Sequence, residues 1–166
     1  MSKIISISIN NKNEKYAIIF DNKHIEKFIC VPSDFSIDEF MTIVFKELSS
    51  HFDKIIYDST GYGLALSEYF SSLDSDKIVL ISQREIQNTY PICKNEILKF
   101  AINTDFNNAY KKVNFEKLIK EFNNVVPDTS SNGLLIKCIK NNIGTSRYIC
   151  FAQYITYLLM NNELDK

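Results

Sequence analysis

The 166-residue chain is 45% hydrophobic and 13% aromatic, with 19 basic and 20 acidic side chains giving a net charge of −1. Length and apolar content predict one packed domain over residues 1–166, burying roughly 70% of its unfolded surface. They exclude a global positive field directed at nucleic acid, and no run reaches the roughly 20 apolar residues that cross a bilayer.

The N-terminal MSKIISISIN alternates rather than forming a continuous apolar run and has no small-residue cleavage site after it, so no signal peptide is read; no membrane partner and a cytoplasmic location are expected. Ile5, Ile7 and Ile9 alternate with Ser6, Ser8 and Asn10, the period of a strand with one apolar face. After the polar NNKNE, KYAIIFD predicts a second strand; beyond the turn-prone DNK, HIEKFICV predicts a third, ended by Pro32. The three form an antiparallel meander. Ser36 and Glu39 have capping-box spacing, and behind them Ile37, Phe40, Met41, Val44, Phe45 and Leu48 share a helical face.

KIIYD, Lys54–Asp58, reads as a short strand buried on both sides, parallel to an earlier one because a helix precedes it. LALSEYFSSL predicts a second helix and KIVLIS another strand. NEILKFAI and NFEKLIKEF have helical spacing, with Asn114 as the expected cap of the latter, and NGLLIKCIK reads as a strand or hairpin arm. The last segment, GTSRYICFAQYITYLLMNN, predicts a heavily buried helix opened by Thr145 or Ser146.

Cys30, Cys93, Cys138 and Cys150 make no CxxC, and His24 and His51 fit no metal-ligand spacing; free buried thiols are expected rather than zinc. The stretch DSTGYG after the Lys54–Asp58 strand admits three readings. Asp58, Ser59 and Thr60 can make local turn bonds while Gly61 or Gly63 takes a backbone angle other residues avoid. The loop can offer N–H groups to an anion, although neither GxGxxG nor GKS/GKT is present. Or Asp58, at the end of a central strand, can be a ligand for a hard cation such as Mg²⁺ or Mn²⁺.

The succession of meander, helix, strand ending in IIYDSTGYG, helix and strand resembles the ribonuclease H-like fold, and YDSTGYGLALSEYF is similar to the nuclease domain of phage terminase large subunits. Lys94 with NEILKFAI, then FEKLIKEF, a short strand and a final helix entered through GTSRYICFAQYI follow in the same order. The resemblance implies an α/β mixed sheet, an antiparallel three-strand meander followed by parallel strands, flanked by helices. It implies a DNA-packaging nuclease that cuts double-stranded DNA with two Mg²⁺ or Mn²⁺ ions held by three acids.

Asp58 fills one of those three positions, as catalytic and metal-binding residue. The first strand offers Ser8, or in a shifted register Ser6 or Asn10, and the entrance of the last helix offers Ser146 followed by Arg147. Hydroxyls are poor replacements for carboxylates on a hard cation, so two-metal catalysis is expected to be weakened or lost. Glu14, Asp21, Asp105 and Asp128 are the acids available to move in, Asp21 foremost, though as part of DNK it also reads as a turn residue.

Neither a P-loop nor the length for a motor is present, so the chain reads as an excised nuclease domain or a free-standing relative. Lys94 and Arg147 are candidate DNA contacts, with Arg84, Lys99, Lys111, Lys112, Lys117, Lys120, Lys137 and Lys140 as a further basic set. Two other readings stay open. The domain can be a catalytically silent relative that binds double-stranded DNA or packaging proteins. It can also be an interaction module with Tyr148, Tyr154 and Tyr157 facing a partner.

Overall fold

A computed structural model describes residues 3–10, 14–48, 51–59, 63–128, 135–139 and 144–164. Its centre is a five-stranded mixed sheet in the order β3-β2-β1-β4-β5. Strands β1 (Lys3–Ile9), β2 (Lys15–Asp21) and β3 (His24–Val31) form the antiparallel meander, and β4 (Lys54–Asp58) and β5 (Ile78–Ile81) continue the sheet in parallel from β1. The β2–β3 turn is tight because Asn22 and Lys23 both take positive φ, 47° and 66°, the backbone that matches strand twist in a two-residue hairpin.

Helix α1 (Ile37–Leu48) opens with the predicted capping box: Ser36 N–H donates to Glu39 Oε2 at 2.7 Å and Glu39 N–H to Ser36 Oγ at 3.1 Å. Helix α2 is shorter than predicted, Leu64–Ser67 followed by turns. Ser67 and Ser71 turn their hydroxyls back onto the carbonyls of Leu64 and Glu68, local bonds that compete with helical ones. Helix α3 (Gln83–Asn88) was not predicted, α4 (Tyr90–Asn103) starts earlier than its apolar spacing suggested, and α5 spans Ala109–Asn124. Asn108 caps α5, accepting from Lys111 N–H at 2.7 Å; the predicted cap, Asn114, lies buried inside the helix. A separate antiparallel pair joins β6 (Val125–Asp128) to β7 (Leu135–Cys138), and α6 (Ser146–Met160) closes the chain.

The sheet separates two cores. On one face Phe40, Met41 and Val44 of α1 with Leu66 and Phe70 pack on Ile5, Ile7, Ile19, Ile55 and Tyr57. On the other, α6 lies on Ile4, Ile18, Phe20, Ile56 and Ile81, with α4 and α5 packed around it. Tyr154 stacks on Phe20 at 3.8 Å between ring centres, and Phe100 meets both edge-on. Tyr148, Tyr154 and Tyr157 are all buried, so the partner-facing role suggested for them is replaced by core packing. Among the described residues no helix is long and apolar enough to cross a membrane.

Candidate functional site

Asp58 ends β4. Tyr57 before it packs toward α1, 5.5 Å from the Phe70 ring, so by strand alternation Asp58 turns to the α6 face with Ile56. It lies opposite Ile81 of β5, and α3 starts immediately beyond. Ser82 caps that helix reciprocally with Glu85, which sets Gln83 at its first position. Gln83 Nε2 donates to Asp58 Oδ2 at 3.2 Å. The cap therefore positions a side chain that holds the carboxylate.

Gly63 shows why the turn after Asp58 carries glycine. Its backbone is ordinary right-handed helical, φ −63° and ψ −28°, so the unusual angle expected of Gly61 or Gly63 is not the reason at this position. A Cβ there would lie 2.0 Å from the Asp58 carbonyl oxygen. The requirement is close approach to the backbone of Asp58. Gly61 lies outside the described residues.

Strand β1 runs beside β4, with Ile7 opposite Tyr57 as the last pair of the ladder. Ser8 and Asp58 are each the next residue, on strands spaced about 4.8 Å apart and on the same face. Ser8 is buried. Ser6, one pleat earlier on that face, meets α6 through Gln153, which is fully buried. With the amide in the orientation that satisfies all its neighbours, Gln153 Nε2 donates to Ile7 O at 3.1 Å and to Ser6 Oγ at 2.7 Å, while Oε1 accepts from Asp58 N–H at 3.2 Å. The residue of α6 that spans β1 and β4 is thus Gln153, which the sequence reading did not select. Its signal was present: a single amide inside the apolar run ICFAQYIT.

Ser146 is two turns away on α6, about 10 Å along the axis from residue 153. It is fully buried, and among the described residues its hydroxyl has no hydrogen-bond partner. Arg147 beside it is 7% exposed. Its guanidinium meets Glu121 Oε1 at 2.7 Å and Asn114 Oδ1 at 3.1 and 3.2 Å, and lies 4.4 Å from the centre of the Tyr16 ring. Glu121 Oε2 also accepts the Tyr148 N–H at 3.0 Å, so a carboxylate from α5 caps the start of α6. Burial pushes the Glu121 carboxyl above the usual range, against the Tyr148 N–H and Arg147 that favour its charged form. A phosphate contact by Arg147 requires this buried pair to open.

The substitute acids are scattered. Asp21 lies opposite Lys3, at the other end of β1 from Ser8, about 17 Å along the strand. Glu14 is at the Asp58 end of the sheet, with Oε2 2.5 Å from Asn10 Nδ2 and 3.2 Å from where a Cβ on Gly144 would stand. Asp105 is exposed after α4, and Asp128 belongs to the β6–β7 pair. Among the described residues no three His, Cys, Asp or Glu side chains are grouped to hold an ion. Of the described residues beside Asp58, Ser8, Gln83 and Gln153 are neutral. This set does not fit a two-metal centre.

Lys94 is exposed on α4, as are Arg84, Lys112, Lys117 and Lys120 on their helices, while Lys99 pairs with Glu96 at 2.7 Å. The side chain of Lys137, and Lys140 altogether, lie outside the described residues. Cys93 and Cys150 are buried free thiols, and burial pushes the Cys93 thiol up to about 12.

Compared with protein-family models, with curated proteins and with solved structures, the chain finds no match.

Proposed function

We propose that the chain is a ribonuclease H-like domain related to the nuclease domain of phage terminase large subunits, in which two-metal cleavage of double-stranded DNA is weakened or lost. The mixed sheet, a meander followed by parallel strands with an acid ending β4, supports the relationship. One observation carries the functional part: Ser8 and Asp58 are neighbours past the end of the β1–β4 ladder, so a hydroxyl stands beside the acid where the resemblance calls for a second carboxylate. Asp58 supplies one anionic ligand and Ser8 a neutral hydroxyl, whereas activating a water and stabilising a leaving oxygen takes two ions about 4 Å apart.

The remaining role is binding. Exposed Lys94 and the lysines of α5 offer phosphate contacts for double-stranded DNA, and packaging proteins are the alternative partner. The neutral bridge made by Gln153 favours this non-catalytic form of the reading.

Plasmid nicking tests it. With the full chain, supercoiled DNA is expected to stay intact in Mg²⁺ and to be nicked at most slowly in Mn²⁺, with Asp58→Asn removing any nicking. Rapid linearisation by the wild type, or nicking that survives Asp58→Asn, sinks the proposal.

A further inference from the structure

We infer that Gln153 is the positioning residue for Asp58: its buried amide bridges the ends of β1 and β4 and so fixes where the Asp58 carboxylate stands. The inference rests on Asp58 being the surviving acid of the site proposed above.

An amide buried in an apolar helix is unfavourable unless both of its ends are bonded. Around Gln153 the helix is apolar, with Cys150, Phe151, Ala152, Tyr154 and Ile155 all buried. Both ends of the amide are nonetheless met, and two of the three partners are backbone atoms of different strands, Ile7 C=O and Asp58 N–H. These lie where the β1–β4 ladder stops. The side chain thus continues the strand pairing by one step and sets the separation of the strands at that point. Slippage of α6 is opposed by its neighbour Tyr154, stacked on Phe20 of β2. Gln83 holds the Asp58 carboxylate from the other side, so one glutamine fixes the backbone of the acid and a second its side chain.

Leucine and ionised glutamate cannot make this bridge. Leucine offers neither donor nor acceptor. Ionised glutamate cannot donate to the Ile7 carbonyl, whereas protonated glutamate has the shape of glutamine and one O–H to give. Gln153→Glu is therefore a reporter of the donor role. Facing a carbonyl in a buried site, the introduced carboxyl has a folded pKa above its unfolded value. Its stability contribution is full below the unfolded pKa and is lost as pH rises through the folded one.

The experiment compares wild type, Gln153→Leu and Gln153→Glu of the full chain by thermal melting and by amide hydrogen exchange. At pH 7 both variants are expected to melt roughly 5 °C below wild type. The deficit of Gln153→Glu shrinks on acidification to pH 5, while that of Gln153→Leu stays constant. In Gln153→Leu the Asp58 amide exchanges at least about tenfold faster relative to Ile56 of the same strand. Unchanged Asp58 exchange, or a glutamate deficit independent of pH, overturns the inference. If the leucine variant does not fold, Gln153→Glu at pH 5 and pH 7 gives the same comparison.

A Mn²⁺ arm separates this from the reading it rests on. Paramagnetic broadening around Asp58 that is equal in wild type and Gln153→Leu overturns the positioning role and leaves Asp58 as ion ligand. Broadening absent from the wild type overturns the ion reading, and the exchange result then decides the bridge alone.

Discussion

A methyl group is the whole difference between glycine and alanine, and position 63 has no room for it. The added carbon would lie 2.0 Å from the Asp58 oxygen, 2.8 Å from its carbonyl carbon and 2.9 Å from its Cβ. Two of these are backbone atoms, so relief cannot come from a flexible side chain; the turn or the strand end must move. Gly63→Ala is expected to destabilise the fold by about 1–3 kcal/mol, the usual range for overpacking, and to lower the melting temperature by roughly 3–10 °C. Calorimetry checks it. An unchanged melting temperature would show that the turn shifts freely and that its contact with Asp58 is not what selects glycine.

At the scale of elements, α5 and α6 are joined by a buried charge pair. Removing one partner of such a pair leaves the other uncompensated, which costs about 3–5 kcal/mol. Glu121→Ala removes the carboxylate partner of the Arg147 guanidinium and the acceptor of the Tyr148 N–H, so a loss in that range is expected in urea unfolding, with Glu121→Gln milder because an amide oxygen still accepts. A loss below about 1 kcal/mol in Glu121→Ala would mean that Arg147 has found water. The pair also marks what could be read from sequence. Strands β1 to β4 were legible because alternation and turn residues are local signals, and Asp58 stood out as an acid ending an apolar run. Asn114 was misread because it precedes an amphipathic run, whereas the helix is capped earlier, at Asn108; its actual partner, Arg147, is 33 residues away. Helix α3 has a Ser82–Glu85 capping box like that of α1, but six residues are too few to show periodicity. Strand β6 is four residues with a proline, a pattern that reads as a break. Gln153 escaped for a physical reason: its role comes from partners on β1 and β4, and no spacing within α6 encodes them.

For the whole molecule, the consequence of this architecture is that two cores share one sheet. Ile55 points into the α1-side core and Ile155, on α6, into the other, and each is fully buried. Neither core is complete without the strands between them, since β1, β2 and β4 contribute alternate residues to both. Losing one face therefore removes the support of the other, and the chain should unfold as a single cooperative unit. Ile55→Val and Ile155→Val each delete one methylene, expected to cost about 0.5–1.5 kcal/mol. Because the two sites lie on opposite faces of the sheet with separate packing partners, the double variant should show the sum of the two losses within about 0.5 kcal/mol. Urea unfolding followed by far-ultraviolet circular dichroism and by tyrosine fluorescence should give coincident transitions with the wild-type slope in all three variants. A second transition, appearing when only the α1-side core is weakened, would show that this face detaches on its own. Tyr57 packs in that core next to Asp58, so detachment would also uncover the residue that precedes the acid on β4.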